Sequence, residues 1–194
     1  MYKMDFIYIN ENSIPLDLCK EIINTFENEP IKYKGVTRSG QNDKIKKTTD
    51  YSININVNET SAWFNINKFL YEELSKNLKI FNNNLFEKYG KKFFNKNFCD
   101  NCFLMQKYDK NEGKFVYHDD FSMVIDMKMH RVITYLWYLN DVDDGGETEF
   151  CGDLKIKPTA GKLILFPASW CYPHKGIMPL SDNKYIITGW LNIQ

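Results

Sequence analysis

Apolar and polar positions along this chain follow two different periods, and the change from one to the other divides it. "FIYIN" reads as an opening strand; Ser13 and Pro15 then mark a helix start, and Cys19, Ile22, Ile23 and Phe26 fall on one face of about three helical turns. After a polar loop over residues 33–50, "SININV" alternates Ile53, Ile55 and Val57 as a half-buried strand does. A longer helix follows, with Trp63, Ile66, Leu70, Leu74, Leu78, Phe81 and Leu85 at helical spacing and Gly90 placed to end it in a left-handed conformation. From "NCFLMQKY" onward the segments are short and separated by Gly, Pro or Asp: "KFVYHDD", "RVITYLWYLN", "ETEFC", "GKLILFP" and "KYIITGWLNI". "RVITYLWYLN" is apolar on both faces, which predicts a central strand with core on one side and a lined cavity on the other. The pattern predicts an α+β, mainly β chain: a sandwich or jelly roll with the N-terminal helices buttressing one sheet.

Composition narrows the possibilities. A chain of 194 residues buries one full core, so a single domain 1–194 is expected, with a helical support region and early strands over 1–98 and the β core over 99–194. The 25 basic and 25 acidic residues cancel, which argues against nucleic acid as a partner. Lys32, Lys34, Arg38, Lys44, Lys46 and Lys47 cluster, but read as a solvated loop. No stretch reaches membrane-spanning length and no export signal opens the chain, so a soluble, cytoplasmic protein with no membrane partner is expected. Five cysteines, an odd number, do not form a secreted disulfide framework, and the lone "CDNC" of Cys99 and Cys102 reads as ordinary thiols.

The candidate chemistry starts at "FVYHDDFSM". Residues two apart in a strand share a face, so His118 and Asp120 point together and Asp119 points away. His174 follows at the end of "LILFPASWCYPH". Two histidines and a carboxylate on a β scaffold make the facial triad of non-heme Fe(II) oxygenases, with coordination positions left open; zinc fits the same donors in principle. Lys184 enters the final strand, where an apolar barrel forces it either to reach solvent or to pair with a ligand carboxylate. Tyr108 and Tyr138 have hydroxyls to offer the same group.

Together "KYDKNEGKFVYHDD", "HRVITYLWYLNDVDDGGETEF", "GKLILFP" and "PHKGIMPLSDNKYIITGWL" resemble the 2-oxoglutarate and Fe(II)-dependent dioxygenases, and within them the prolyl 4-hydroxylase type, closely over residues 103–193. The resemblance implies a double-stranded β-helix of the jelly-roll, cupin-like kind. It implies that His118, Asp120 and His174 bind Fe(II), that Lys184 ion-pairs with the distal carboxylate of 2-oxoglutarate, and that Tyr108, Tyr138 and more weakly Thr134 complete that pocket. Arg131 and Trp190 match positions that contact the substrate proline; the plainer readings are a solvated strand start and core packing. The implied reaction consumes O2 and 2-oxoglutarate, releases succinate and CO2, uses ascorbate as reductant, and hydroxylates a proline-containing peptide or protein. The same chemistry on a free amino acid, another side chain or a small metabolite is the alternative. Phe115 departs from the pattern, standing where prolyl hydroxylases often have tyrosine near the substrate. "FSMVIDMKMH" and the loop from Gly35 to Lys47 are expected to close over the substrate, His130 to be structural or solvent-facing, and Gly145–Gly146 to make a tight turn rather than a phosphate loop.

Overall fold

The computed structural model describes residues 6–54, 57–94, 98, 102–124 and 129–193. The chain begins with β1 (Tyr8–Asn10), α1 (Leu16–Glu27), β2 (Tyr33–Lys34), β3 (Lys46–Lys47), β4 (Thr49–Asn54) and α2 (Trp63–Tyr89). Then come β5 (Cys102–Tyr108), β6 (Lys114–His118), β7 (Met123–Val124), β8 (Met129–Tyr138) and β9 (Thr148–Phe150). The last strands are β10 (Leu154–Ile156), β11 (Leu163–Pro167), β12 (His174–Gly176) and β13 (Lys184–Ile193). They form an eight-stranded sheet in the order β1-β11-β8-β13-β5-β4-β2, with β7 paired to β8, and a five-stranded sheet in the order β10-β9-β12-β6-β3. The strand pairings are antiparallel, as in the jelly roll that the pattern predicts.

Period-two alternation sorts the side chains of the large sheet onto two cores. Phe103, Met105, Ile133, Tyr135, Trp137, Leu163, Leu165 and Ile187 face the helices and pack with Ile22 and Phe26 of α1 and with Trp63, Ile66, Leu70 and Phe81 of α2. Their neighbours along the strands, Tyr108, Leu136, Tyr138, Ile164, Phe166 and Ile186, face the small sheet and meet Phe150 and Ile156. β8 is apolar on both faces because each of its faces covers a core.

Local details depart from the pattern in places. α1 starts behind Pro15, with no side-chain cap. Ser13 is instead buried under the large sheet, donating to Glu73 Oε1 (3.1 Å) and accepting from Trp137 Nε1 (3.0 Å). α2 ends as expected, with Gly90 at φ 66°. The described part of β4 ends at Asn54, Val57 lies outside it, and Ile55 lies outside the described residues. Opposite Ile53, β4 presents Asp50 and Ser52 to the space between the sheets. Cys102 is half-buried, and its expected neighbour Cys99 lies outside the described residues. Among the described residues no helix is long and apolar enough to cross a membrane.

Candidate metal centre and the cavity around it

Sheet register brings the two histidines together. β12 pairs with β6 so that His174 stands directly opposite His118, and the ring centroids are 4.3 Å apart. β6 ends at His118, so Asp120 reaches the site from the two residues beyond the strand rather than from the strand itself. Asp119 turns its carboxylate back to cap the backbone N–H of Phe121 (3.0 Å). Asp120 Oδ1 lies 3.9 Å from His118 Nε2 and Oδ2 lies 3.6 Å from His174 Nε2. One ligand atom from each of the three residues lies within 4.8 Å of the others.

Hydrogen bonds orient all three donors. The Nδ1 of His118 meets the carbonyl of Val116 (2.9 Å) and that of His174 the carbonyl of Tyr172 (3.1 Å). Each Nδ1 therefore carries the proton, and each Nε2 lone pair is left facing the site. Thr134 Oγ1 donates to Asp120 Oδ2 (2.8 Å). Burial, with His174 beside it, pushes His118 down to about 4, so the imidazole is neutral and able to bind a metal. Burial works against ionisation of Asp120, but His174, His118 and the Thr134 hydroxyl outweigh it and hold the carboxyl below its usual range. Two imidazoles and one carboxylate, aimed at a common point, fit a divalent metal such as iron. Phe115 stacks on His118 at 3.5 Å and 15°, while Phe150 and Phe166 flank His174.

His118, Asp120 and His174, with Phe115 and Phe166, line a cavity of about 770 Å³ between the sheets. Lys184 lines it too and is only 1% exposed. Its Nζ donates to the Gly146 carbonyl (2.9 Å) and sits 4.0 Å from the centroid of the Tyr108 ring. Burial pushes Lys184 down to about 7, with Glu147 opposing the shift. Gly146 and Gly145 both have positive φ, and a Cβ on Gly145 would meet the Met178 carbonyl at 2.3 Å. The glycine pair thus lets the backbone present an oxygen to the lysine, which is more than a tight turn. Among the described residues the Tyr108 hydroxyl has no hydrogen-bond partner, and burial raises its pKa so that it stays a donor.

Two expected cosubstrate residues are placed differently. Tyr138 does not line the cavity: as the fully buried last residue of β8 it donates to Thr148 Oγ1 (2.6 Å), behind the wall. Thr134 lines the cavity, but its hydroxyl proton is used on Asp120.

The basic cluster is not simply a solvated loop. Lys46 is buried and pairs with Asp50 Oδ2 at 2.8 Å, while Thr48 Oγ1 (2.7 Å) and Gln106 Nε2 (3.1 Å) satisfy the rest of that carboxylate. Arg38 lines the cavity mouth and donates to Ser122 Oγ, so the two segments expected to close over a substrate touch each other. Arg131 stacks on Trp190 with its guanidinium carbon 3.6 Å from the ring centroid. Periodicity of β4 and β5 could have flagged Asp50 and Gln106, since each shares a strand face with cavity residues; no local signal announces Arg38.

Residues 103–192 match the family model of the 2OG-Fe(II) oxygenase superfamily. No curated protein matches the sequence. Among solved structures, a prolyl hydroxylase from Trichoplax adhaerens, in complex with a hypoxia inducible factor oxygen degradation domain peptide fragment, aligns at TM-score 0.75 and 17% identity over 96% of this chain and 83% of that one. The collagen prolyl hydroxylase of Paramecium Bursaria Chlorella virus-1, in its 2OG complex, aligns at TM-score 0.68 and 19% identity over 97% of each chain. A prolyl-4-hydroxylase from Pseudomonas putida aligns at TM-score 0.67 and 18% identity over 97% of this chain and 93% of that one. At these identities the likeness is one of fold. Residues 103–192, which carry the His118, Asp120 and His174 cluster, are a 2OG-Fe(II) oxygenase domain, and with it the protein is a 2-oxoglutarate-dependent dioxygenase.

Proposed function

We propose that this chain hydroxylates a peptidyl proline to 4-hydroxyproline, using Fe(II), 2-oxoglutarate and O2 and releasing succinate and CO2. The observation that carries the reading is the convergence of His118, Asp120 and His174 on a cavity that also contains a buried ammonium, Lys184. His118 and His174 through Nε2, and Asp120 through its carboxylate, would hold the iron. Bound together, iron and cosubstrate supply the oxidising power that breaks a C–H bond.

The chain's own residues do the positioning. Lys184 would bind the distal carboxylate of 2-oxoglutarate, relieving the cost of a buried cation, and Tyr108 would donate a hydrogen bond to the same group. Leu136, Phe166 and Ile186 line the cavity with apolar surface. Arg131 and Trp190 would hold the target residue against the metal centre. A peptide is supported by the exposed apolar side chains of Tyr33, Val36 and Phe121 at the cavity rim, and proline by the fold shared with prolyl hydroxylases. Ascorbate as reductant and a cytoplasmic setting belong to the same proposal. The second reading, the same chemistry on a free amino acid, another side chain or a small metabolite, is favoured by Phe115, whose ring packs on His118 without a hydroxyl to offer the substrate.

Purified protein supplied with Fe(II), ascorbate and 2-oxoglutarate should form succinate, and proline-containing peptides should stimulate this and gain one oxygen on proline. Succinate without peptide oxidation favours the second reading. No succinate under any condition rejects both.

A further inference from the structure

We infer that the cavity mouth is built to receive a carboxylate carried by the substrate itself, held between Arg38 and Arg131 beside the indole N–H of Trp190. The inference deepens the proposed hydroxylation and rests on it for the identity of the reacting group, though not for the carboxylate.

Ser122 links the two arginines, its Oγ accepting from the Arg38 guanidinium and its carbonyl from the Arg131 backbone N–H (3.0 Å). Both side chains line the cavity with Trp190. Among the described residues neither guanidinium is in ion-pair contact with a carboxylate, and that of Arg131 makes no hydrogen bond. Asp120 attracts Arg131 but turns its oxygens to the two imidazoles and Thr134, and Asp119 caps the N–H of Phe121. The buried Nε1 of Trp190 also has no partner among the described residues.

The mouth thus gathers donors with few acceptors. Arg131 is half-buried, and Arg38 adds a second positive charge that repels it. A neutral peptide carbonyl would take one hydrogen bond and leave the repulsion in place. A carboxylate takes two parallel bonds from a planar guanidinium and cancels charge as well. Stacking on Trp190 fixes the plane of the Arg131 fork. The carboxylate comes either from an acidic residue flanking the target in a peptide or from the terminal acid of a small substrate.

Fluorescence anisotropy of labelled alanine peptides with one central proline tests this, with Asp walked through the flanking positions and Asn at the same positions as the neutral counterpart. N-acetyl-L-proline and N-acetyl-L-prolinamide serve as competitors, and Mn(II) with 2-oxoglutarate occupies the metal centre so that no turnover consumes the probe. At one position at least, the Asp peptide should bind about tenfold tighter than its Asn twin, or the acid should compete about tenfold better than the amide. That preference should vanish in Arg38→Gln, an exposed position, and in Arg131→Gln. A peptide preference identifies a flanking acidic residue, and an acid-over-amide preference a terminal carboxylate. Equal binding of charged and neutral members throughout, binding of none, or a preference that survives both substitutions overturns the inference. Succinate formation with Fe(II) is read separately, so a chain that binds the acid without turnover rejects the proposed reaction and not the carboxylate site.

Discussion

Thr134 Oγ1 donates to Asp120 Oδ2 across 2.8 Å, so a hydroxyl on a central strand of the large sheet aims a carboxylate that follows a strand of the small one. The Asp120 end of the metal centre is therefore set by how the two sheets face each other.

Thr134→Val should lower metal affinity by roughly ten- to a hundredfold, the range seen when an outer partner of a ligand is lost. Thr134→Ser should retain most of it. Mn(II) titration of both variants measures the difference, and unchanged affinity in Thr134→Val would mean that Asp120 is held by the turn alone.

The adjacent aspartates should separate cleanly. Asp120→Ala should weaken metal binding by more than about a hundredfold, since it removes a donor rather than a donor's support. Asp119→Ala loses only the cap on Phe121 N–H and should bind metal close to the unaltered chain. The same titration reads both.

The two tyrosines should divide between binding and folding. Tyr108→Phe should raise the KM for 2-oxoglutarate several-fold with little change in stability. Tyr138→Phe should leave that KM unchanged and cost about 1 kcal/mol, because Thr148 loses its donor. Steady-state kinetics and urea unfolding distinguish the two.

Lys184 predicts a pH dependence with a definite sign. Its pKa falls from 10.5 to about 7 on folding, by burial against the opposing pull of Glu147. Between those values the unfolded chain binds more protons, so this group makes stability rise with pH across that window and withdraws it as pH falls through the folded value. Lys184→Met should remove the slope and stabilise the ligand-free protein near pH 7, by an amount on the order of a few kcal/mol, while abolishing turnover. Urea unfolding at several pH values tests it. Binding of 2-oxoglutarate at pH 8 should take up a proton, visible calorimetrically as a heat that depends on the buffer.

Breaking the Lys46 and Asp50 pair should be costly. Lys46→Met leaves a carboxylate only 1% exposed without its cation, which costs about 3–5 kcal/mol. Adding Asp50→Leu should recover much of that, and a double-mutant cycle by urea unfolding measures the coupling.

The β core was readable from the sequence because period-two alternation in β5, β8, β11 and β13 reports which side of a sheet each residue faces, and both sides are buried. The cluster of His118, Asp120 and His174 was legible because His118 and Asp120 are close in sequence, although His174 opens the separate short strand β12 and does not end the one that begins at Leu163, which stops at Pro167. The strand argument placed Asp120 beside His118, where the structure also has it, but by a route the chain does not take, since β6 has already ended at His118. Tyr138 misled because a strand face is not the same as a cavity wall: the cavity ends before the strand does. Lys46 looked solvated because its partner, Asp50, lies across a change of sheet; Arg38 is exposed as expected, but its place at the cavity had no sequence signal because loop residues carry no periodicity.

Lys46 and Lys47 belong to the small sheet and Thr49 to the large one, with Thr48 alone between them. Along that seam the two sheets are stitched by a single covalent crossing, locked from inside by an ion pair. A second crossing, residues 119–122, leads from β6 of the small sheet to β7 beside the large one, and Arg38 donates to Ser122 within it. The loop that bonds through Gly35 to Thr48 and through Arg38 to Ser122 therefore straps the two crossings together, so that a shift at either is carried to the other.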